Sequence, residues 1–291
     1  METTESLSGW AIRGKAFAWG SRTYIMGILN VTPDSFSDGG DFFECDRALV
    51  QAQEMRAWDV DIIDIGGQSS RPDADEIPLQ AELKRVIPVI QAIRGVDDQT
   101  PISIDTTRSE VAQAAIAAGA DLINDISGGL EDPRMFSVAA KHQVPMILMH
   151  RRGNAKTMQS MTTYGDLVAE VMEFLDQQLQ AAVKAGVDRQ QLAVDPGIGF
   201  AKTFGQNIQL LQSLRRFQRL GAPLLIGTSR KSFIGQILNE PDPKQRVWGT
   251  AASCCTAIAQ GADILRVHDV PAMTQVSRVA DAFWRSGGGV L

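Results

Sequence analysis

The segment YIMGILNVTPDSFSDGGDFF (residues 24–43) changes character at Asn30. Residues 24–29 are almost wholly apolar, whereas residues 32–41 are small, polar and glycine-rich, with neither a helical nor a strand period. A continuous apolar run of this length is typical of a strand that is buried on both faces of a parallel sheet. The segment therefore predicts a buried strand that delivers a single amide, Asn30, to a long loop.

Short apolar runs of this kind recur along the chain, and an amphipathic helical pattern follows each of them. The eight strand-like runs are residues 24–31, 61–67, 101–106, 121–126, 144–150, 192–197, 223–229 and 263–269. Strict alternation of eight strands with eight helices predicts an α/β fold, a (β/α)8 TIM barrel, in one domain spanning residues 1–291. The competing doubly wound sheet carries GxGxxG after its first strand, and NVTPDSFSDGG does not contain that motif.

Glycines predict how the barrel is closed and where its helices end. Residues 9–23 alternate in polarity around Gly14 and Gly20, which predicts a β-hairpin that closes the bottom of the barrel. The run FGQNIQLLQSLRRFQRLG (residues 204–221) is expected to form one helix. Five glycines that precede predicted strands are expected to end helices in a left-handed conformation. They are Gly95, Gly119, Gly186, Gly221 and Gly261.

Composition excludes several classes of protein. A hydrophobic content of 44% with 21% charged residues is typical of a soluble globular protein. The formal net charge of -6 argues against a protein that binds nucleic acid or an anionic membrane through its general charge. Three cysteines, two of them adjacent, do not form a disulfide framework, and the N-terminus does not resemble a signal peptide. We therefore expect a cytoplasmic protein.

Polar side chains accumulate where the predicted strands end. In a barrel the catalytic groups lie at the C-terminal ends of the strands. Each such residue alone has a structural explanation, because a strand-end Asp or Asn commonly caps a helix or closes a turn. Burying so many around one mouth is costly unless they pair or bind a ligand, so together they predict an active site. They are Asn30, Gln68, Ser70, Arg71, Asp105, Asn124, Asp125, Asp195, Ser229, Arg230, Lys231, Ser232, Arg266 and His268.

The order of these residues along the chain divides the predicted mouth into two sides. Strands 7 and 8 supply cations, Arg230 or Lys231 and Arg266, together with His268 and a helix N-terminus, which suits a phosphate group. Strands 3, 4 and 6 supply hydrogen-bond acceptors, and a carboxylate accepts two parallel N–H bonds from an amino-pyrimidine edge. The residues therefore predict a ligand that joins a nitrogen heterocycle to a phosphate, without specifying a reaction.

Seven segments carry a resemblance to a known family. GILNVTPDSFSDGG, DIGGQSSRP, SIDTTRSEV, INDISGG, DPGIGFAKT, GTSRKSFIG and RVHDV resemble, in order, the signature segments of the dihydropteroate synthase family, over about residues 24–270. The resemblance implies a transferase that condenses 6-hydroxymethyl-7,8-dihydropterin diphosphate with p-aminobenzoate to 7,8-dihydropteroate and pyrophosphate, with Mg²⁺ as cofactor. This reaction is a step of folate biosynthesis and the target of sulfonamides. The resemblance also implies a homodimer.

The resemblance implies roles for individual residues. The residues expected to hold the pterin are Asp105, Asn124, Asp195 and Lys231. Those expected to handle the diphosphate and Mg²⁺ are Arg266, His268 and the metal ligand Asn30. Those expected to border the aminobenzoate are Ser70, Arg71, Pro72, Phe200, Lys231 and Ser232, and Ser229 is also expected to bind substrate. Catalysis is assigned to Asp105, Lys231, Arg266 and His268.

The expected chemistry is an SN1-like substitution, in which Asp105 stabilises a cationic pterin while positive groups neutralise the departing pyrophosphate. The loops after strands 1 and 2 are expected to close over the mouth and exclude water. The chain departs from the family pattern GGESTRPG, which here reads GGQSSRPD, and it carries additional arginines at Arg151 and Arg152.

Two alternatives stay open. A methyltetrahydrofolate-binding methyltransferase domain shares the pterin-holding barrel, but it has no use for the anion site formed by the SRK and RVHD segments. A non-catalytic pterin-binding protein would not be expected to keep charged groups at nearly every strand end.

Overall fold

The structure is a computed structural model that describes residues 9–32 and 41–285, without the side chains of residues 41–44. The predicted loop after Asn30 falls largely on residues 33–40, which lie outside the described residues. The strands are β1 (Trp10–Ile12), β2 (Lys15–Phe17), β3 (Tyr24–Asn30), β4 (Ile62–Gly66), β5 (Ile102–Asp105), β6 (Leu122–Asp125), β7 (Met146–Met149), β8 (Leu192–Asp195), β9 (Leu225–Ile226) and β10 (Ile264–Val267). The helices are α1 (Asp41–Ala57), α2 (Leu79–Val96), α3 (Ser109–Ala118), α4 (Arg134–His142), α5 (Leu167–Lys184), α6 (Phe204–Gln212), α7 (Ser232–Leu238), α8 (Val247–Ala259) and α9 (Val270–Trp284).

The predicted TIM barrel is confirmed by the pairing of its strands. Eight parallel strands follow the order β8-β7-β6-β5-β4-β3-β10-β9. A parallel bridge between Val194 and Leu224 joins the two outermost strands, and the Val194 N–H donates to the Pro223 carbonyl at 2.9 Å. The sheet therefore closes on itself into a barrel.

The predicted hairpin closes the bottom of this barrel. Strands β1 and β2 pair antiparallel, and Trp10 and Phe17 pack against the first inward-facing side chains of the barrel strands. Those apolar side chains are Tyr24, Met26, Ile62, Leu122, Ile147, Ala193, Leu225 and Ile264. A larger apolar cluster, which includes Ile63, fills the space between the strands and the outer helices. The closed end of the barrel is thus an apolar plug, and polar chemistry is restricted to the open end.

Helix ends follow the glycine prediction at four of five positions. Gly119, Gly186, Gly221 and Gly261 have positive φ angles of 117°, 100°, 58° and 94°, where a Cβ is disfavoured. The prediction is wrong at Gly95, which lies inside α2. That helix ends one residue later, at Val96, because Asp97 is extended, and the Asp97 carboxylate accepts the backbone N–H groups of Gln99 and Thr100 instead.

The region between β8 and β9 also differs from the prediction of one long helix. Helix α6 ends at Gln212, and residues Leu214–Leu220 form a 3₁₀ helix. In a 3₁₀ helix the side chains at positions i and i+3 lie on the same face. Leu214 and Phe217 have this spacing, and both are fully buried. The tighter helix therefore directs two large apolar side chains into the core.

Candidate active site

Along several barrel strands, the inward-facing side chains change from apolar to polar between one inward position and the next. Because successive side chains of a strand point to opposite faces, a residue two positions beyond an inward apolar residue also points inward. Four strands use this position for a polar group. The pairs are Ile62 and Asp64, Leu122 and Asn124, Ala193 and Asp195, and Ile264 and Arg266. The result is a polar layer, defined by Asp64, Asp105, Asn124, Asp195 and Arg266, directly above the apolar plug.

Arg266 joins two buried carboxylates in this layer. Its Nε donates to Asp64 Oδ2 at 2.6 Å, and its Nη2 donates to Asp105 Oδ2 at 2.5 Å. Burial alone would lower the pKa of Arg266, but the two carboxylates outweigh burial and raise that pKa. Burial raises the pKa of Asp105, and the Arg266 guanidinium opposes that rise. Arg266 therefore remains charged, and it is what allows two adjacent carboxylates to be buried here.

This contact changes the predicted division of the mouth. Arg266 was expected on the cationic side with His268, but the structure pairs it with Asp64 and Asp105 on the acceptor side. The reason is geometric: Arg266 points inward at the level of the polar layer, where the nearest acceptors are the carboxylates of β4 and β5. Arg266 therefore lies between the two predicted sides.

Asp64 is not among the residues predicted from the sequence. It is fully buried, and its Oδ2 accepts a hydrogen bond from Asn124 Nδ2 at 3.2 Å in addition to the one from Arg266. Because the Asn124 amide nitrogen is directed to Asp64, the amide oxygen of Asn124 is left to accept a hydrogen bond from a ligand. Asp64 lies within a strand and not at its end, but its period-two relation to the apolar Ile62 is visible in DIIDIGG.

Asp195 and Lys231 lie close enough for the charge of each to shift the pKa of the other. Asp195 Oδ1 accepts the Gly197 N–H at 2.7 Å. Burial raises the pKa of Asp195 to about 6, whereas the Gly197 N–H and the charges of Lys231, Lys202 and Arg266 act to lower it. Burial lowers the pKa of Lys231 to about 8, Arg266 adds to that shift, and Asp195 opposes it. The carboxylate and the ammonium group therefore support each other's charge.

The ring of Phe200, which forms the aromatic wall of the mouth, lies directly beside Lys231. The ammonium nitrogen of Lys231 lies 4.1 Å from the centre of the Phe200 ring, within the range of a cation–π contact. Gly199 makes this approach possible, because a Cβ at that position would lie 3.1 Å from Lys231 Cδ. Phe200 and Lys231, to which the resemblance assigns the border of the aminobenzoate, therefore lie side by side.

His268 and Ser229 form the second polar group of the mouth. Ser229 Oγ accepts the backbone N–H of His268 at 3.1 Å and lies 3.0 Å from His268 Nδ1. Burial lowers the pKa of His268 to about 3, and the charges of Arg230, Arg266, Lys231 and Arg71 act in the same direction. His268 is therefore neutral near pH 7.

The remaining predicted residues lie at the rim. Asn30 and Ser70 are half-buried, whereas Arg71, Pro72 and Ser232 are exposed. A Cβ built on Gly66 would lie 3.7 Å from Asn30 Oδ1 and 3.5 Å from Asp105 Cβ, so Asn30 reaches the edge of the polar layer. A cavity of about 520 Å³ extends from Asp105 and Ile126 to Ser70 and Arg151. The volume of this cavity is in the range found for sites that bind small molecules.

Several charged residues near the mouth are engaged elsewhere. Both carboxylate oxygens of Asp125 accept hydrogen bonds from residues 127–129, so Asp125 closes a local turn. Arg230 forms two hydrogen bonds to Asp269, at 3.1 and 2.6 Å, so of the two neighbouring cations Arg230 and Lys231 it is Lys231 that acts on Asp195. The additional arginines pair with glutamates, Arg151 with Glu131 and Arg152 with Glu170.

The donor set at the rim is compatible with Mg²⁺. An amide oxygen such as Asn30 Oδ1 is a hard ligand, and Mg²⁺ commonly takes one or two protein oxygens together with substrate phosphates and water. Within residues 9–32 and 41–285, no three His, Cys, Asp or Glu residues cluster as a metal site. In the same residues, no helix is long and apolar enough to cross a membrane.

Comparisons with known proteins agree with this geometry. The family model described as pterin binding enzyme matches residues 26–268. A dihydropteroate synthase from Synechocystis is 60% identical over 269 residues, which cover 92% of this chain and 93% of the relative. The solved dihydropteroate synthase of Xanthomonas albilineans with 4-aminobenzoic acid has a TM-score of 0.88 at 41% identity and covers 95% of this chain and 98% of its own. The Yersinia pestis dihydropteroate synthase with a sulfonamide drug has a TM-score of 0.88 at 42% identity, and the match covers 94% of this chain and 98% of the Yersinia pestis chain. The chain therefore belongs to the dihydropteroate synthase family of pterin binding enzymes.

Proposed function

We propose that this protein condenses 6-hydroxymethyl-7,8-dihydropterin diphosphate with p-aminobenzoate to give 7,8-dihydropteroate and pyrophosphate. The observation that carries the proposal is the buried polar layer, in which Asp195 and Asn124 present acceptors beside the cation Arg266. The Xanthomonas albilineans relative, solved with 4-aminobenzoic acid, supports the choice of amine. The Yersinia pestis relative, solved with a sulfonamide drug, supports the expectation of sulfonamide binding.

The pterin is bound by the polar layer. A 2-amino-4-oxo pyrimidine edge offers parallel N–H donors, which an ionised carboxylate such as Asp195 accepts as a pair. The Asn124 amide oxygen accepts a further N–H, since Asp64 holds its amide nitrogen. Lys231 lies against Phe200, where it donates to a carbonyl or ring nitrogen of the pterin. A ligand that lacks these donors leaves buried acceptors unpaired, which is a strong source of selectivity.

The diphosphate lies toward the rim. We assign its binding to the neutral ring of His268, the exposed Arg71 guanidinium and Ser229, with Arg266 close beneath them. Asn30 Oδ1 is the residue that would hold Mg²⁺, which would supply positive charge to stabilise the pyrophosphate leaving group. Ser70, Pro72 and Ser232 border the aminobenzoate at the open side of the mouth.

The residues support an SN1-like substitution. The bond between the pterin methylene carbon and the diphosphate oxygen breaks, and both electrons leave with pyrophosphate. Asp105 and Asp195 stabilise the pterin cation that remains, because both carboxylates face the ring. The amine nitrogen then forms the new C–N bond and loses a proton. An arylamine is already neutral at pH 7, so this step needs no strong general base from the protein.

The methyltransferase alternative finds less support. Ser229 and His268 form a hydrogen-bonded pair at the mouth, beside Arg71, and such a group suits a phosphate that methyltetrahydrofolate does not carry.

We also infer a homodimer. Exposed aromatic side chains on the adjacent helices α8 and α9 support it, since Trp248 and Phe283 are 78% and 74% exposed.

One assay tests the proposed reaction. Purified protein is incubated with the pterin diphosphate, and pyrophosphate and 7,8-dihydropteroate are measured together. We expect both products in equal amounts, and we expect both to require p-aminobenzoate and Mg²⁺. Pyrophosphate release that is independent of the amine would identify a phosphohydrolase, and no release with all components present would favour the non-catalytic alternative.

A further inference from the structure

Lys202 is a buried lysine to which neither the predicted site nor the proposed reaction gives a role. It is only 3% exposed, and its ammonium nitrogen donates to the Phe200 carbonyl at 2.8 Å. The same nitrogen lies 3.0 Å from His150 Nδ1. Burial lowers the pKa of His150, and Lys202 and Arg152 add to this shift, so the ring is neutral and Nδ1 accepts from Lys202. Lys202 thereby ties the segment after β8 to the end of β7.

Gly197 brings this ammonium group close to Asp195. The Gly197 N–H donates to Asp195 Oδ1 at 2.7 Å, and a Cβ at Gly197 would lie 3.4 Å from Lys202 Nζ. The same Cβ would lie 1.9 Å from the His150 carbonyl oxygen, and φ at Gly197 is +70°, so only glycine fits between β7 and β8 here. The Lys202 ammonium group and the Asp195 carboxylate therefore both approach Gly197, and the charge of Lys202 acts on the carboxylate to which we assign pterin binding.

Lys202 also acts on the aromatic wall. Its hydrogen bond to the Phe200 carbonyl fixes the residue whose ring lies 4.1 Å from Lys231 Nζ. The Tyr164 hydroxyl donates to the next carbonyl, that of Ala201, at 2.9 Å, and the Gly199 N–H donates to Asn207 Oδ1 at 2.6 Å. Lys202 is the buried charged group within this set of loop contacts.

We propose that Lys202 is a positioning residue for the pterin site: its buried cation keeps Asp195 ionised, and its hydrogen bond to the Phe200 carbonyl holds the aromatic wall against Lys231. The inference rests on the proposed function, because it takes Asp195 as the carboxylate that accepts the pterin N–H groups. Lys202 does not touch the reacting atoms and acts through its two neighbours.

The electrostatic role predicts a specific dependence on pH. Asp195 is faced by Lys202 after β8, Lys231 after β9, Arg266 on β10 and the Gly197 N–H. Lys202 in turn is faced by Asp195, Lys231, Arg152 and His150. Removing the Lys202 charge raises the pKa of Asp195 further, so pterin binding weakens at low pH, where Asp195 becomes protonated. At high pH Asp195 is ionised in any case and Lys202, whose pKa burial lowers to about 7, is itself neutral.

The test is equilibrium binding of the pterin diphosphate, without amine, to wild type and Lys202→Met at pH 5.5 and pH 9. One pKa unit corresponds to a factor of ten, so loss of one adjacent charge is expected to weaken binding about tenfold at pH 5.5. At pH 9 we expect a difference of about twofold or less from the lost hydrogen bonds. Lys202→Gln keeps a donor for the Phe200 carbonyl and should show the same pH dependence with a smaller loss of thermal stability.

The matched control is Lys184→Met, which removes an exposed lysine in the last turn of α5 and should bind as wild type does at both pH values. Equal weakening of Lys202→Met and Lys202→Gln at both pH values would overturn the proposal, because a merely structural lysine has that effect. Unchanged binding of either folded variant at pH 5.5 would also overturn it. Failure of wild type to bind pterin diphosphate would instead contradict the proposed function.

Discussion

Arg266→Met is expected to lower kcat/KM by about a thousandfold, the size of effect seen when a preorganised charge is removed from a reacting site. Arg266 donates to Asp64 at 2.6 Å and to Asp105 at 2.5 Å. Its loss leaves two buried carboxylates without their shared cation, so one of them takes up a proton and the polar layer loses one of its ionised acceptors. We also expect the free energy of unfolding to fall by about 3–5 kcal/mol, as when one partner of a buried ion pair is removed. Steady-state kinetics and urea unfolding measure the two effects.

Two further variants separate catalysis from stability. Arg278→Met makes the same substitution in an ion pair at the surface. The side chains of Arg278 and its partner Asp59 are 64% and 81% exposed, so the free energy of unfolding should change by less than about 1 kcal/mol. Arg266→Lys keeps the charge without the two-pronged geometry, and it should retain more stability than Arg266→Met while still losing activity. If Arg266→Met unfolds more easily but keeps kcat/KM within twofold of wild type, Arg266 has a structural role only.

Asp195→Asn is expected to weaken pterin-diphosphate binding by about a thousandfold. The asparagine oxygen still accepts the Gly197 N–H, now made by Asp195 Oδ1 at 2.7 Å, so the loop should keep its conformation. The amide nitrogen then points at the ligand and opposes its N–H donors, and a site with unmatched buried polar groups rejects its ligand strongly. Isothermal titration calorimetry measures the affinity.

The same variant tests the protonation state of the site. Burial raises the pKa of Asp195 to about 6, and only the ionised carboxylate accepts two N–H bonds, so wild-type affinity should fall as the pH drops below about 6. Asp195→Asn should lose this part of the pH dependence. Asp188→Asn is the matched control, because Asp188 caps a short helix before β8, at the other end of that strand, and should leave binding unchanged. Retention of wild-type affinity by Asp195→Asn would exclude Asp195 as the pterin acceptor.

The barrel and most of its active site are visible in the sequence because both depend on local patterns. Buried parallel strands read as continuous apolar runs, and the polar residues that end them stand out. Asn30, Asp105, Asn124 and Asp195 are recognised in this way. Asp64 is not, because it interrupts a strand where a polar residue has no local explanation, and its partner Arg266 is 202 positions away in the chain.

Contacts between distant segments set the features that local patterns do not predict. Arg230 and Lys231 are adjacent and equally basic in the sequence, and only the position of Asp269 assigns one to an ion pair and leaves the other at the mouth. Lys202 follows DPGIGFA without any sign of burial, and its environment depends on His150 at the end of β7. The glycine signal fails at Gly95 because Asp97 offers an alternative way to end the helix.

The most direct measurement of the central claim is a crystal structure of the protein with bound 6-hydroxymethyl-7,8-dihydropterin diphosphate. We expect the pterin ring in the polar layer, with its N–H edge on Asp195 and Asn124 and its diphosphate extending toward His268, Ser229 and Arg71. A pterin bound outside the barrel mouth, or one whose diphosphate points at Asp195 while its ring faces His268, would contradict the assignment of these residues.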